Sequence, residues 1–348
     1  MPVPVAARPS AIKAGLSMTR TLPPSDYPRD LAGYGGDLPH AQWPGGAKVA
    51  VQFVVNVEEG GENNVLHGDE ASEAFLTEEP TSALRGRRNL NVESQYEYGT
   101  RAGFWRLRRL FEERGLPVTV FGISESLRRN PGLVAAARES RWEIASHSLR
   151  WIDYAALDPD TEREHIERAV RIHTEVCGEA PHGWYTGRNS ANTRRLVVEH
   201  GGFLYDSDSF SDDLPYWTDV DGTAHLVLPY TLDNNDGRYV NTYGFQSESF
   251  STYLTHALEL LLEEGTERPR MMSVGLHLRI SGRPGRAADL RRFLDVVAGH
   301  PDVWVARRVD IARHWRRVHP ASEWLPRSVD PLAGDASADA LTATPPRG

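Results

Sequence analysis

Residues 48–61 read KVAVQFVVNVEEGG: an apolar, β-branched run that ends in two adjacent carboxylates, Glu58 and Glu59, and a glycine pair. An apolar run this long fits a strand covered on both faces, as in parallel sheets. Buried charge must be paired or neutralised, so carboxylates at the tip of such a strand belong to a polar site and not to a core. The continuation ENNVLHGD (62–69) adds Asn63, Asn64, His67 and Asp69 to that tip.

Working outward, further strands are expected at PVTVFGI (117–123), WEIASH (142–147), GWYTG (183–187), FLYDSD (203–208), HLVLPYT (225–231), MMSVGLHL (271–278) and VWVARR (303–308). Helical periodicity fills 99–115, 159–177, 189–200, 249–264, 286–298 and 309–317. Alternation of this kind predicts an α/β protein with a mainly parallel sheet, and about eight strands suit a closed or nearly closed barrel. The stretch 66–98 is irregular and longer than an ordinary connection, as functional lids and interface arms are.

The polar residues gather at the strand ends. Glu58 and Glu59 follow the first strand, His147 ends the third, and Trp184 to Arg188 end the fourth. Asp206 and Asp208 end the fifth, Asp233 to Asp236 follow the sixth, and His277 and Arg279 end the seventh. Carboxyl ends of parallel strands share one rim, where ligands bind, so these residues are expected to converge.

The chain has 348 residues, 40% hydrophobic and 25% charged, with a net charge of -9. An acidic chain without a basic face argues against nucleic-acid binding. No apolar run reaches the roughly 18 residues of a membrane span. The opening segment lacks the apolar stretch of a signal peptide, so a cytoplasmic location is expected. The single cysteine, Cys177, excludes an internal disulfide and a cysteine-based zinc cluster. Residues 1–22 and 328–348 have the composition of disordered tails, which leaves 23–327 as one expected domain.

The segments VNVEEGG, ASHSLRW (145–151), GWYTGRNS (183–190), LYDSD (204–208) and LHLR (276–279) resemble, in order, the five motifs of the polysaccharide deacetylase superfamily. That resemblance implies a distorted (β/α) barrel of seven to eight parallel strands. Longer stretches, among them WPGGAKVAVQFVVNVEEGGENNVLHGD (43–69), YEYGTRAGFWRLRRLF (96–111) and GLHLRISGRPGR (275–286), look like one branch, the metal-independent allantoinases of urate breakdown. Metal-using deacetylases carry Asp-Asp in the first motif and two histidines four apart in the second. Here Glu58-Glu59 and Trp151 stand at the altered positions, and Glu59 with His147 supplies too few ligands for zinc, so neither a metal nor another cofactor is expected. The sequence also departs from the allantoinase branch at Ser148, Leu149 and Leu278.

The resemblance implies hydrolytic opening of a cyclic ureide, allantoin to allantoate, with Glu58 or a coupled Glu59–His147 pair activating water and His277 protonating the leaving nitrogen. Gly60, Asn63, Trp151, Trp184, Arg188, Asp206 and Arg279 are the expected substrate-binding residues. The expected partner is a small cyclic ureide or imide, handled by a homo-oligomer without nucleic acid or membrane. A related cyclic imide or hydantoin amidohydrolase, a metal-dependent N-acetyl sugar deacetylase and a non-catalytic ligand-binding protein remain as alternatives.

Overall fold

Residues 29–79, 82–241 and 249–334 are described by a computed structural model, and the expected tail 1–22 and residues 335–348 lie outside them. Nine strands are present among the described residues: β1 (Val49–Val57), β2 (Thr119–Gly122), β3 (Glu143–Ser146), β4 (Gly183–Trp184), β5 (Tyr205–Asp206), β6 (Tyr216–Val220), β7 (Thr223–Val227), β8 (Arg270–His277) and β9 (Val303–Val305). They form one curled sheet in the order β6-β7-β5-β4-β3-β2-β1-β8, with β9 beside the start of β1. All neighbouring pairs are parallel except the β6–β7 hairpin. This is the expected α/β fold, a mostly parallel half-barrel wrapped by helices. The described residues from Tyr34 onward belong to one unit.

β6 is the strand the sequence reading missed. It joins β7 through Asp221 and Gly222, at φ 50° and 84°. Two central residues at positive φ match the twist of paired strands, which is why Asp-Gly marks hairpins. Residues 328–334, placed in the expected C-terminal tail, instead lie against this hairpin: Val329 pairs with Thr223, and Asp330 forms an ion pair with Arg316.

The period of two along each strand sorts side chains between two compartments. In β1, Val49, Val51, Phe53, Val55 and Val57 pack outward with Phe104, Phe111, Leu254 and Phe293 of the helix layer. Gln52, Val54 and Asn56 face inward: Val54 meets Phe121, Ala145, Tyr185 and Tyr230, and Asn56 Nδ2 donates to Tyr230 Oη at 2.9 Å. Continuing that alternation, Glu58 points inward too. The same rule sends Met272, Val274 and Leu276 of β8 outward and leaves Ser273 and His277 inside.

Among the described residues the curl is not closed by a strand ladder between β7 and β8. The chain after β7 spans that gap, with Asn235 bridging to Gly275. From inside, the fully buried Arg308 ties the seam: Nη1 donates to Gln52 Oε1 at 2.5 Å and Ser273 Oγ at 2.9 Å, and Nη2 to Ser207 Oγ at 2.8 Å and to the Leu228 and Pro229 carbonyls. No helix among the described residues is long and apolar enough to cross a membrane.

Candidate active site

At the carboxyl end of β1, Glu58 is 1% exposed and is the centre of a charged cluster. Its Oε1 lies 3.4 Å from His147 Nε2 and 3.4 Å from His277 Nε2, and its Oε2 lies 2.8 Å from Arg279 Nη1. The four residues come from the ends of β1, β3 and β8, which the parallel sheet brings to one rim. Burial pushes the Glu58 carboxyl up, but Arg279 and His277 outweigh it and hold the group well below the usual carboxylate range.

Each cationic or imidazole partner is itself oriented. His277 Nδ1 donates to Asp236 Oδ1 at 2.6 Å, and the His277 backbone N donates to Asp236 Oδ2 at 2.7 Å. Burial would lower the His277 pKa, but Glu58 and Asp236 push it up to about 9. His147 Nδ1 faces the Tyr185 carbonyl at 3.3 Å, a contact that places a proton on Nδ1, and its Nε2 lies against the Glu58 carboxylate. Arg279 Nε donates to the Leu76 carbonyl at 3.2 Å, and its guanidinium lies 4.1 Å over the Tyr96 ring. Nη1 of Arg279 is taken up by the ion pair with Glu58, whereas Nη2 has no hydrogen-bond partner among the described residues and keeps donors to offer a ligand.

Glu59 diverges from Glu58, as neighbouring residues of an extended chain do. Its Oε2 accepts from the Glu58 backbone N at 3.0 Å, while Oε1 lies 3.7 Å from Arg279 Nη1 without a hydrogen-bond partner among the described residues. Burial pushes Glu59 up to about 7, with the Glu58 charge adding and Arg279 opposing. The carboxylate lies against Gly99, where any Cβ would overlap it. Gly99 opens a π-helical turn, Gly99–Gly103, between the helices Leu90–Tyr98 and Phe104–Glu112. Such π-turns recur at functional sites, and this one shapes the Glu59 pocket.

A flat wall completes the site. Trp151, 4% exposed, lies between the guanidinium groups of Arg188 at 3.8 Å and Arg279 at 5.5 Å from its ring, with Phe75 at 5.7 Å. Arg188 Nη1 is 3.4 Å from Glu73 Oε2, which also accepts from Asn63 Nδ2 at 2.8 Å. Gly60, at φ 90°, turns the chain so that its N donates to Glu62 Oε2 at 2.6 Å.

The sequence-predicted residues Glu58, His147, His277 and Arg279 thus meet directly, and Glu59, Trp151, Arg188, Asn63 and Gly60 surround them. Three expectations are corrected. Trp184 is outward on β4, packed with Leu149, Ile166, Leu196 and Phe203, so it walls the core and not the site. Asp206 is outward on β5, bound by Arg194 at 2.7 Å and His225 at 3.0 Å. The coupled pair is Glu58 with His147, not Glu59 with His147. Missed were Asp236, Tyr96 and Glu73. Asp236 was one of four polar residues in a row after β7, and nothing local says which of them turns inward.

Two of the three departures from the resembling branch, Leu149 and Leu278, pack away from the site. Leu149 and Leu278 are buried in the core. Ser148 sits at φ 68°, where glycine would be unstrained. Arg150 pairs with Asp69, Nη1 to Oδ1 at 2.9 Å.

A tight divalent-metal site needs three side-chain donors with lone pairs and an open position. Here Glu58 already faces a guanidinium, His277 is held protonated between two carboxylates, and the Glu59 carboxylate turns to its own pocket at Gly99, so the described residues bring no three free donors together around Glu58. Among the described residues no group of three or more His, Cys, Asp or Glu side chains is arranged to hold a metal ion. The residues present do not fit such an ion.

Residues 90–202 match the polysaccharide deacetylase family model. A Schizosaccharomyces pombe protein named as a provisional polysaccharide deacetylase is 42% identical over 313 residues, covering 84% of this chain and 98% of its own. The crystal structure of a probable polysaccharide deacetylase from Pseudomonas aeruginosa PAO1 is 54% identical, covers 84% of this chain and 99% of its own, and superposes with a TM-score of 0.83. The crystal structure of PuuE allantoinase is 52% identical, covers 85% of this chain and 99% of its own, with a TM-score of 0.84.

Proposed function

Because this chain belongs to the polysaccharide deacetylase family and is a hydrolase acting on carbon–nitrogen bonds, we propose that it opens a cyclic ureide ring, converting allantoin to allantoate. The observation that carries this reading is the Glu58 carboxylate held between His147, His277 and Arg279 where a metal-using relative would need free donors. The 52% identity to an allantoinase over nearly all of that protein supports the choice of ring. Purine breakdown, a cytoplasmic location and a homo-oligomer are the setting this reading implies.

Ring opening requires hydroxide to attack an amide carbonyl, with a base, an acid and an oxyanion stabiliser from the protein. His147 Nε2 takes the proton from water, and the Glu58 charge stabilises the imidazolium formed. The developing oxyanion is met by Arg279 Nη2, which has no hydrogen-bond partner among the described residues. As the ring carbon–nitrogen bond breaks, protonated His277 delivers its Nε2 proton to the departing nitrogen, and Asp236 keeps that imidazole oriented. Trp151 supplies a flat surface for the ring, and Arg188 offers donors to the ureide carbonyls. Glu59, at about 7, is a second proton acceptor beside the cluster.

The test is incubation of the purified protein with allantoin, hydantoin, succinimide and an N-acetylglucosamine oligomer, with and without a chelator. Allantoin opening that survives chelation is expected. Acetate release that the chelator abolishes would overturn the reading.

A further inference from the structure

One carboxylate near the site has no part in the chemistry above. Asp208 lies two residues beyond β5, and its carboxylate accepts three backbone hydrogen bonds. Thr186 N donates to Oδ1 at 2.9 Å and to Oδ2 at 3.0 Å, and Gly187 N donates to Oδ1 at 2.9 Å. These amides form the turn that carries Arg188 out of β4.

Asp208 is itself fixed from behind: its backbone N donates to Asp206 Oδ1 at 2.9 Å, and Arg194 Nη2 donates to its carbonyl at 3.1 Å. Asp206 is in turn held by Arg194 and His225, so the outward pair anchors the inner one. That gives Asp206 a place in the design that sequence reading assigned to substrate contact.

The turn has little room to relax. Gly187 is at φ 79°, and a Cβ there would stand 3.2 Å from the Tyr185 ring and 3.3 Å from His147 Cε1. Packed against those rings on one side and gripped by Asp208, the turn sets the starting point of the Arg188 side chain. That side chain then stacks at 3.8 Å on Trp151.

We propose that Asp208 is a positioning residue for the site, acting through the Thr186–Gly187 turn to hold Arg188 on the face of Trp151. The role rests on the ureide reading only for what Arg188 binds. An amide in place of the carboxylate presents an NH2 group to donors and loses part of the grip.

The test compares Asp208→Asn, Asp208→Glu, Arg188→Ala and the double variant Asp208→Asn/Arg188→Ala. Asp208→Asn should raise KM for allantoin about tenfold and lower kcat less, because the amide loses one to two of the backbone hydrogen bonds that orient a binding group. Asp208→Glu should restore most of the loss, and the Asn change should add less than about twofold in the Arg188→Ala background. Amide hydrogen exchange without substrate should show residues 183–190 losing protection in Asp208→Asn while the rest of the chain keeps it. Multiplicative KM effects in the double variant, or unchanged exchange at 183–190, would overturn the proposal. Failure of the wild-type protein to open allantoin sinks the ureide reading alone, since the exchange measurement needs no substrate.

Discussion

Replacing Asp236 by Asn probes the chain of charges Asp236–His277–Glu58. Burial by itself disfavours an imidazolium, yet the two carboxylates carry His277 from the ordinary 6.5 to about 9. At about 1.4 kcal/mol per pH unit, that difference is roughly 3 kcal/mol in favour of the protonated form in the folded protein. A raised pKa contributes stability that is fully present below 6.5 and lost as pH rises through about 9. Asp236→Asn removes one of the two anions and should cancel about half of this, roughly 1–2 kcal/mol. Urea unfolding of both proteins at pH 6 and pH 9.5 measures it. Glu59 and other buried carboxyls titrate in both proteins, so the difference between their two pH dependences isolates His277. NMR titration of the His277 Cε1–H should show its pKa falling toward the ordinary histidine range, and the alkaline limb of kcat should move down with it. An unchanged His277 titration, or identical pH dependence of stability, would refute the coupling.

Glu58→Gln should lower kcat by about 100-fold or more with the fold intact, since the imidazolium at His147 loses its counter-charge; steady-state kinetics and circular dichroism decide this. Gly99→Ala should cost roughly tenfold in kcat/KM by displacing the Glu59 carboxylate from its pocket, and near-normal turnover would show that Glu59 is a bystander. Arg308→Met should destabilise the protein by roughly 3–5 kcal/mol, because it leaves several buried acceptors across the barrel seam unpaired; a loss under about 1 kcal/mol in urea unfolding would contradict that role. Phe203→Leu, in the core cluster around Trp184, should leave KM for allantoin unchanged while costing about 1–2 kcal/mol of stability, and a large KM change would return that cluster to the site.

The parallel strands were legible because burial on both faces forces apolar runs, and β1 and β8 fall within one residue of their expected limits. β6 was not, because its residues Tyr216–Val220 alternate weakly and half-exposed; the Asp221-Gly222 pair beside it was the usable signal. The site was legible where it sits on strand tips, since alternation along β1, β3 and β8 fixes the inward positions of Glu58, His147 and His277. The same alternation, counted from the strand ends, places Trp184 and Asp206 on the outer face. Tyr96 and Glu73 come from a helix and a long connection, whose approach to the rim no local pattern encodes. Asp236 depends on the seam: only the bridge from Asn235 to Gly275 turns it toward His277.

The β1–β8 ladder has a consequence for how the chain matures on the ribosome. Val49 pairs with Arg270 and Asn56 with His277, so β1 waits for a partner about 220 residues later. At roughly 5–20 residues per second, that is about 10–40 s of synthesis during which a nine-residue, nearly uniform apolar strand has no edge partner on that side. Such a segment is sticky toward other strands, so β1 is the natural client site for a chaperone during translation. Glu58 meets His277 and Arg279 only when that ladder forms, which makes the reactive cluster one of the last features the nascent protein acquires.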